Sequence, residues 1–235
     1  MNILVTAGNT QTPVDRVRCI TNIFSGRTGA QVTASAFDRG HTVTLLTSHP
    51  EVLSAIPATR ERVAPQWCVR AYRTFDDLDA LMKAEIRTGS YDVVIHAAAV
   101  SDYHVAGVFT HRDGQFEDAT AGKVKSSHPE LWLKLTPAPK LIDKVRAEWE
   151  FAGKLVKFKL EVGVSPAELE EIAERSRVHS RADLMVANTL EGMHDWALIG
   201  AGPNRYQHVA RAELAAHLLA AVESLPQSAN DSVTV

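Results

Sequence analysis

Tyr91 to Val100 read YDVVIHAAAV, with consecutive β-branched residues and no charge after Asp92. A strand without a polar face has to be covered on both sides, which is the situation inside a parallel sheet flanked by helices. The chain supplies such helices. GAQVTASAFDRG, residues 29–40, places Val32, Ala36 and Phe37 at helical spacing and ends on Gly40, a helix stop. It lies between two apolar runs, NILVTAG at the start of the chain and HTVTLLTS at 41–48, so the pattern is a βαβ unit. QWCVRAY reads as a third strand. TFDDLDALMKAEIRTG carries acids in its first turn and Leu78, Leu81, Met82 and Ile86 on one face, so it reads as a helix.

The second half continues the alternation after one break. From Ser101 to Glu130 there is no clean periodicity, and this stretch is expected to be an inserted flexible loop with a functional role. LWLKL is a short alternating strand, and APKLIDKVRAEW is amphipathic. KLVKFKLEV is a strand followed by the helix SPAELEEIAERSRVHS, with Ser165 as N-cap and Pro166 at the first helical position. ADLMVAN is a buried strand, and WALIGAG with RYQHVA forms a hairpin near the sheet edge. RAELAAHLLAAVESL is the last helix. The expectation is therefore an α/β fold: a doubly wound, mostly parallel Rossmann-like sheet with helices on both faces. Residues 1–225 read as one domain and 226–235 as a disordered tail.

The chain has 235 residues, 45% apolar and 23% charged, with net charge −3. That balance argues against nucleic-acid or membrane partners, so an anion site has to be a local cluster of Arg and Lys. Two isolated cysteines, Cys19 and Cys68, fit a reducing cytoplasm, and no apolar run reaches membrane-spanning length. A cytoplasmic location is expected. His96, His104 and His111 show no metal-ligand spacing, and no metal ligands are assigned.

In a doubly wound sheet, ligands bind outside the carboxyl ends of the strands. The first strand ends at TAGNTQT and the central one at HAAAVSDY, which predicts a crevice lined by Gly8, Ala98, Ala99 and Asp102. The small side chains of Ala97 to Ala99 let a flat base or sugar approach the backbone. Tight helix–sheet packing is the structural alternative. A nicotinamide site would need G-x-G-x-x-G directly after the strand, whereas the chain reads GNTQTPVD. No Tyr and Lys stand four apart, and there is no P-loop.

The stretch VRCITNIFSGRTG, Val17 to Gly29, instead resembles a delayed phosphate loop. Ser25, Gly26, Thr28 and Gly29 leave backbone N–H groups free at a helix start, where an anion is favoured. Arg16, Arg18 and Arg27 supply guanidinium groups able to grip phosphate or carboxylate. Asn22 offers a neutral donor and acceptor; a turn asparagine is the ordinary reading of such a residue. Lys123 and Lys125 in GKVKSS could close over a polyphosphate, or simply be solvated. Asp102 could take a ribose hydroxyl, a base amine or a metal ion.

Six blocks in order, ILVTAGNT, VDRVRCITNIFSGRTG, AAAVSDY, GKVKSS, KFKLE and ADLMVANTLEG, resemble the phosphopantothenoylcysteine synthetase family over Met1 to about Ile199. KVKSS and FKLE are most similar to its monofunctional members. The resemblance implies a phosphopantothenate–cysteine ligase of coenzyme A biosynthesis. It would use CTP or ATP with Mg²⁺ and pass through an acyl-nucleotidylate. It implies Asn22 and Lys123 as catalytic residues, and Arg18, Asn22, Ser25, Gly26 and Ala99 as substrate-binding. Gly8, Thr10, Ala98, Ala99, Asp102, Lys123 and Phe158 would bind the nucleotide. A homodimer is implied, with Arg18 reaching across the interface. This sequence departs from the family at Asn9, where Gly or Pro is usual, and at Lys157, where Gly or Ser is common. Ser176 and Ser180 stand where the bifunctional bacterial members carry two lysines. The competing readings are an NAD(P)-dependent reductase, which tight NADPH binding would favour, and a non-catalytic nucleotide-binding module, which would bind without turnover.

Overall fold

The computed structural model describes residues 1–57, 61–62 and 65–226, so the expected tail lies outside the described residues except for Pro226. The chain opens with β1 (Asn2–Ala7), a short ribbon of β2 (Gln11–Pro13) and β3 (Cys19–Thr21), then α1 (Arg27–Asp38) and β4 (Thr42–Thr47). β5 (Trp67–Ala71), α2 (Phe75–Thr88) and β6 (Val93–His96) follow. After them come β7 (Tyr103–Arg112), β8 (Gln115–Asp118), β9 (Trp132–Pro137) and α3 (Leu141–Ala147). The last third holds β10 (Lys154–Glu161), α4 (Pro166–His179), β11 (Leu184–Thr189), β12 (Trp196–Gly200), β13 (Tyr206–Ala210) and α5 (Leu214–Ser224).

The main sheet has eight strands in the order β13-β12-β11-β10-β6-β1-β4-β5. The six from β11 to β5 run parallel; β12 and β13 add an antiparallel edge. Strand order reverses between β1 and β6, which makes the space beyond their carboxyl ends the expected ligand crevice. Alternation along β1 divides the core. Ile3, Val5 and Ala7 pack with Val32 and Phe37 of α1 and with Leu218 and Leu219 of α5. Leu4 faces the other way and joins Leu78 and Met82 of α2 with Leu141 and Val145 of α3. Leu169 and Ala173 of α4 cover Met185 and Ala187 of β11.

Helix starts follow their sequence signals. Thr74 and Asp77 form a capping box on α2, and Ser165 and Glu168 form one on α4, with Pro166 inside. The expectation of a structureless stretch from Ser101 to Glu130 is corrected. β7 pairs with β8 as a hairpin and with β9 on its other side, giving a separate three-stranded antiparallel sheet. The one long run without helix or strand there is 119–131. The hairpin was hidden because both faces of β8 are exposed, so no apolar face alternates with a polar one there.

Candidate active site

The crevice is shaped first by glycine. Gly8 ends β1 at φ 92°, and Gly26 precedes α1 at φ 79°. A Cβ on Gly26 would stand 2.2 Å from the Gly8 nitrogen, and one on Gly29 would stand 2.6 Å from the Ala7 Cβ. The missing side chains therefore let the first turn of α1 sit directly on the end of β1. No side chain caps that turn, so its leading N–H groups stay available at the positive end of the helix.

Asn9 and Asn22 lock the neighbouring loops. Asn9 is buried; its backbone N–H donates to Ser48 Oγ at 2.9 Å, and its Nδ2 donates to the Asn22 carbonyl at 2.6 Å. Asn22 in turn donates from Nδ2 to the Ala99 carbonyl at 2.9 Å. The Ala99 N–H donates to the Gly8 carbonyl at 2.8 Å, which closes the frame. Asn9 thus acts as the strut that holds the Asn22 backbone. The second N–H of the Asn22 amide and its Oδ1 have no hydrogen-bond partner among the described residues.

A cleft of about 870 Å³ opens beside this frame, a size suited to a small-molecule ligand. Gly8, Ser25, Gly26, Ala98, Ala99 and Phe158 line it, so six of the sequence-predicted positions share one cavity. Arg27, Lys159, Arg211 and Asn188 also line it, and among the described residues no aspartate or glutamate does. On a chain of net charge −3, this is a local concentration of positive charge. Lys159, Arg211 and Asn188 were not singled out from sequence. Asn188 sits at the end of a strand, a usable signal, whereas Arg211 reaches the cleft only through the long-range fold.

Beneath Ala98 lies a buried polar chain. The Ala98 N–H donates to Thr6 Oγ1 at 3.3 Å, and that oxygen is 2.9 Å from His96 Nδ1. Burial, aided by the nearby Lys157 charge, holds the His96 pKa down at about 4. Lys157 points away from the cleft and donates to Ser180 Oγ at 2.6 Å and to the Ser176 carbonyl at 3.1 Å. Its charge therefore sits at the end of α4, against Ser176 and Ser180.

The remaining predicted residues fall elsewhere. Arg18 donates to Asp15 Oδ2 at 2.6 Å and to the Val124 carbonyl at 2.6 Å, while 43% of its side chain stays accessible. Asp15 Oδ2 also accepts from the Val124 N–H at 3.0 Å, and the Arg16 N–H donates to the Gly122 carbonyl at 3.0 Å. The Arg18 guanidinium, with the backbone N–H groups of Val17, Val124 and Arg18, holds the Asp15 carboxyl well below the usual carboxylate range. Lys123 is thereby tethered on both sides, with its own side chain exposed. Thr10 is fully buried, and its hydroxyl donates to Ser101 Oγ at 2.9 Å, inside the frame rather than on the cleft wall. Asp102 is exposed and pairs with Lys140. Among the described residues, no group of three or more His, Cys, Asp or Glu side chains could hold a metal ion. No helix among them is long and apolar enough to cross a membrane.

An open, doubly wound sheet with a cationic cleft beyond its strand ends, where strand order reverses, defines a Rossmann-like α/β protein. More particularly, the chain belongs to the DNA/pantothenate metabolism flavoprotein C-terminal domain family, which it matches over residues 1–224. It is 35% identical over 189 residues to the Coenzyme A biosynthesis bifunctional protein CoaBC of Thermococcus kodakarensis, covering 80% of this chain and 41% of that one. The chain thus spans about two fifths of that relative's length. The crystal structure of the DNA/pantothenate metabolism flavoprotein from Streptococcus pneumoniae matches with a TM-score of 0.79 at 30% identity, over 95% of this chain and 99% of that one. A histidine-to-alanine variant of Cab2 in complex with phosphopantothenate-cysteine matches with a TM-score of 0.71 at 15% identity, over 94% and 86%, a likeness of fold.

Proposed function

We propose that the chain joins 4′-phosphopantothenate to L-cysteine at the expense of a nucleoside triphosphate, CTP or ATP, in coenzyme A biosynthesis. The observation that carries this reading is the Asn22 amide, fixed to Ala99 beside a cleft lined by cations and no carboxylate. Membership of the family, and the names its relatives carry, support it.

The first step is attack of the phosphopantothenate carboxylate oxygen on the α-phosphorus. The bond to the bridging oxygen breaks, and pyrophosphate leaves with that oxygen. In the second step the cysteine amine attacks the acyl carbon and loses a proton to solvent. The C–O bond to the nucleotide breaks, and nucleoside monophosphate departs. Bringing a carboxylate to a triphosphate requires cations and oriented N–H groups, because the reactants repel. In this scheme Gly8, Ser25, Gly26, Ala98, Ala99 and Phe158 hold the nucleotide and the acyl group in the cleft. Asn22 holds the acyl carbonyl through its remaining N–H. Lys123 offsets charge on the phosphates, and Arg18 uses its accessible edge for the phosphate of the pantothenate. Thr10 acts only by keeping the frame closed. Asp102 would have to exchange Lys140 for a nucleotide group. The described residues offer no cluster of three acidic or His/Cys side chains for Mg²⁺, which would enter as part of the nucleotide complex. The proposal includes a cytoplasmic homodimer, with Arg18 serving the neighbouring site.

A pyrophosphate-release assay tests the reading, with phosphopantothenate and cysteine and either CTP or ATP. Release should require phosphopantothenate. In Asn22→Ala it should fall by about a hundredfold or more with folding intact, the scale of losing one preorganised donor. Absence of release with both nucleotides would overturn the reading.

A further inference from the structure

Three cations line the cleft, and they are not equivalent. Lys159 is paired with Glu161 at 3.0 Å. Arg27 is exposed, at the outer start of α1. Arg211 is different: its side chain lies in the cleft from the turn before α5, about half withdrawn from solvent, and its Nη2 donates to Thr28 Oγ1 in the first turn of α1. Its backbone N–H donates to the Asp195 carbonyl at 2.8 Å, which ties it to the turn carrying Met193 and His194, also cleft residues. The residue is therefore anchored at its backbone by Asp195 and at its guanidinium by Thr28 before any ligand arrives.

The comparison with other withdrawn arginines is informative. Arg146 lies 2.7 Å from the Asp183 carboxylate, and Arg177 lies 2.7 Å from that of Glu174. Arg211 has no carboxylate partner among the described residues, and its one side-chain contact is a neutral hydroxyl. Withdrawal from water then acts without compensation and pushes its pKa down. A guanidinium carries five N–H donors in a planar fork, and here one is engaged. An immobilised, uncompensated guanidinium facing a carboxylate-free cavity is suited to an oxyanion with several acceptor atoms.

We propose that Arg211 binds a phosphoryl group in the cleft, acting with the uncapped first turn of α1 to which Thr28 links it. This assignment rests on the ligase reading for the source of the phosphate, which is either the nucleotide triphosphate or the phosphate of the pantothenate. It does not rest on that reading for the binding itself.

The test uses Arg211→Gln and Arg211→Lys in the full chain, after thermal melts confirm folding. Titration calorimetry with inorganic pyrophosphate and with CTP or ATP needs no turnover. Arg211→Gln should weaken binding of one of these probes, or raise the KM for phosphopantothenate, by about tenfold or more, the scale of a charge-assisted hydrogen bond. Arg211→Lys should recover part of the loss, because it restores charge without the fork. A weakened nucleotide or pyrophosphate affinity assigns Arg211 to the triphosphate. A raised KM confined to phosphopantothenate assigns it to the other phosphate. If both variants fold, and affinities and KM values stay within about twofold of the parent, the proposal is wrong and Arg211 merely braces Thr28. If the parent protein releases no pyrophosphate but Arg211→Gln still loses anion affinity, the ligase reading fails while the Arg211 site stands.

Discussion

A methyl group at Gly26 would meet the amide nitrogen of Gly8 at 2.2 Å, and the neighbour is backbone, which cannot rotate away. Gly40 also has a positive φ, 92°, but a methyl there would meet nothing within 4 Å. The pair separates two costs. Gly40→Ala should destabilise by about 1–2 kcal/mol, the backbone term alone. Gly26→Ala should lose more than that, because α1 must also lift from β1 and carry the cleft wall with it. Chemical denaturation of both variants checks the order; equal losses would mean that the close approach is not rigid. The same scale shows what could be read in advance. Asn22 was visible as a polar residue inside a glycine-bearing loop, and the family resemblance gave it a role. Asn9 looked like a departure from the family. Its use as a strut for the Asn22 carbonyl became visible only when a contact 13 residues away was formed.

Elements with a buried stripe or a cap were legible, and the hairpin of β7 and β8 was not. β1, β4, β6 and β11 announced themselves through charge-free runs, since each needs cover on both sides. β7 and β8 carry Tyr103 and Phe116 exposed on a separate sheet, and neither periodicity nor burial marked them, whereas the alternation of LWLKL did mark β9. α4 is the opposite case. It buries only Leu169 and Ala173 among its residues, so its start depends heavily on the reciprocal box of Ser165 and Glu168. Ser165→Ala should cost about 1 kcal/mol, as for a lost N-cap. For a chain of this length that corresponds to a fall of about 2–4 °C in Tm. Glu168→Gln, which keeps an acceptor, should cost less. Calorimetric melts of the two variants decide whether the box or the Pro166 start sets the helix boundary.

Across the whole molecule, acid sensitivity should begin at one buried imidazole beneath the cleft. His96 is held neutral with a pKa of about 4 against an ordinary 6.5. Between those values the unfolded chain binds a proton that the native state excludes. The free energy of unfolding therefore falls as pH drops through that window, and the His96 contribution is complete above about 6.5. The full loss is about 3 kcal/mol from this residue. Glu174 and Glu223 are held at about 2, chiefly by Arg177 and Arg39, so their stabilisation fades only at pH values below the ordinary carboxylate pKa of 4.5. The two regimes are thus separable. His96→Gln keeps a hydrogen-bonding partner for Thr6 but cannot titrate. Urea unfolding from about pH 7.5 to about pH 4.5 should show a falling stability for the parent protein and a nearly flat one for the variant. NMR titration of His96 in the parent provides the check that needs no substitution, with its midpoint expected far below that of a solvated histidine. Since Thr6 also receives the Ala98 N–H, protonation of His96 should disturb the cleft before the molecule unfolds. Nucleotide affinity would then fall only as pH approaches the native-state value of about 4, below the window in which stability is lost, and an affinity that stayed constant while the imidazole titrated would disconnect this buried chain from the site.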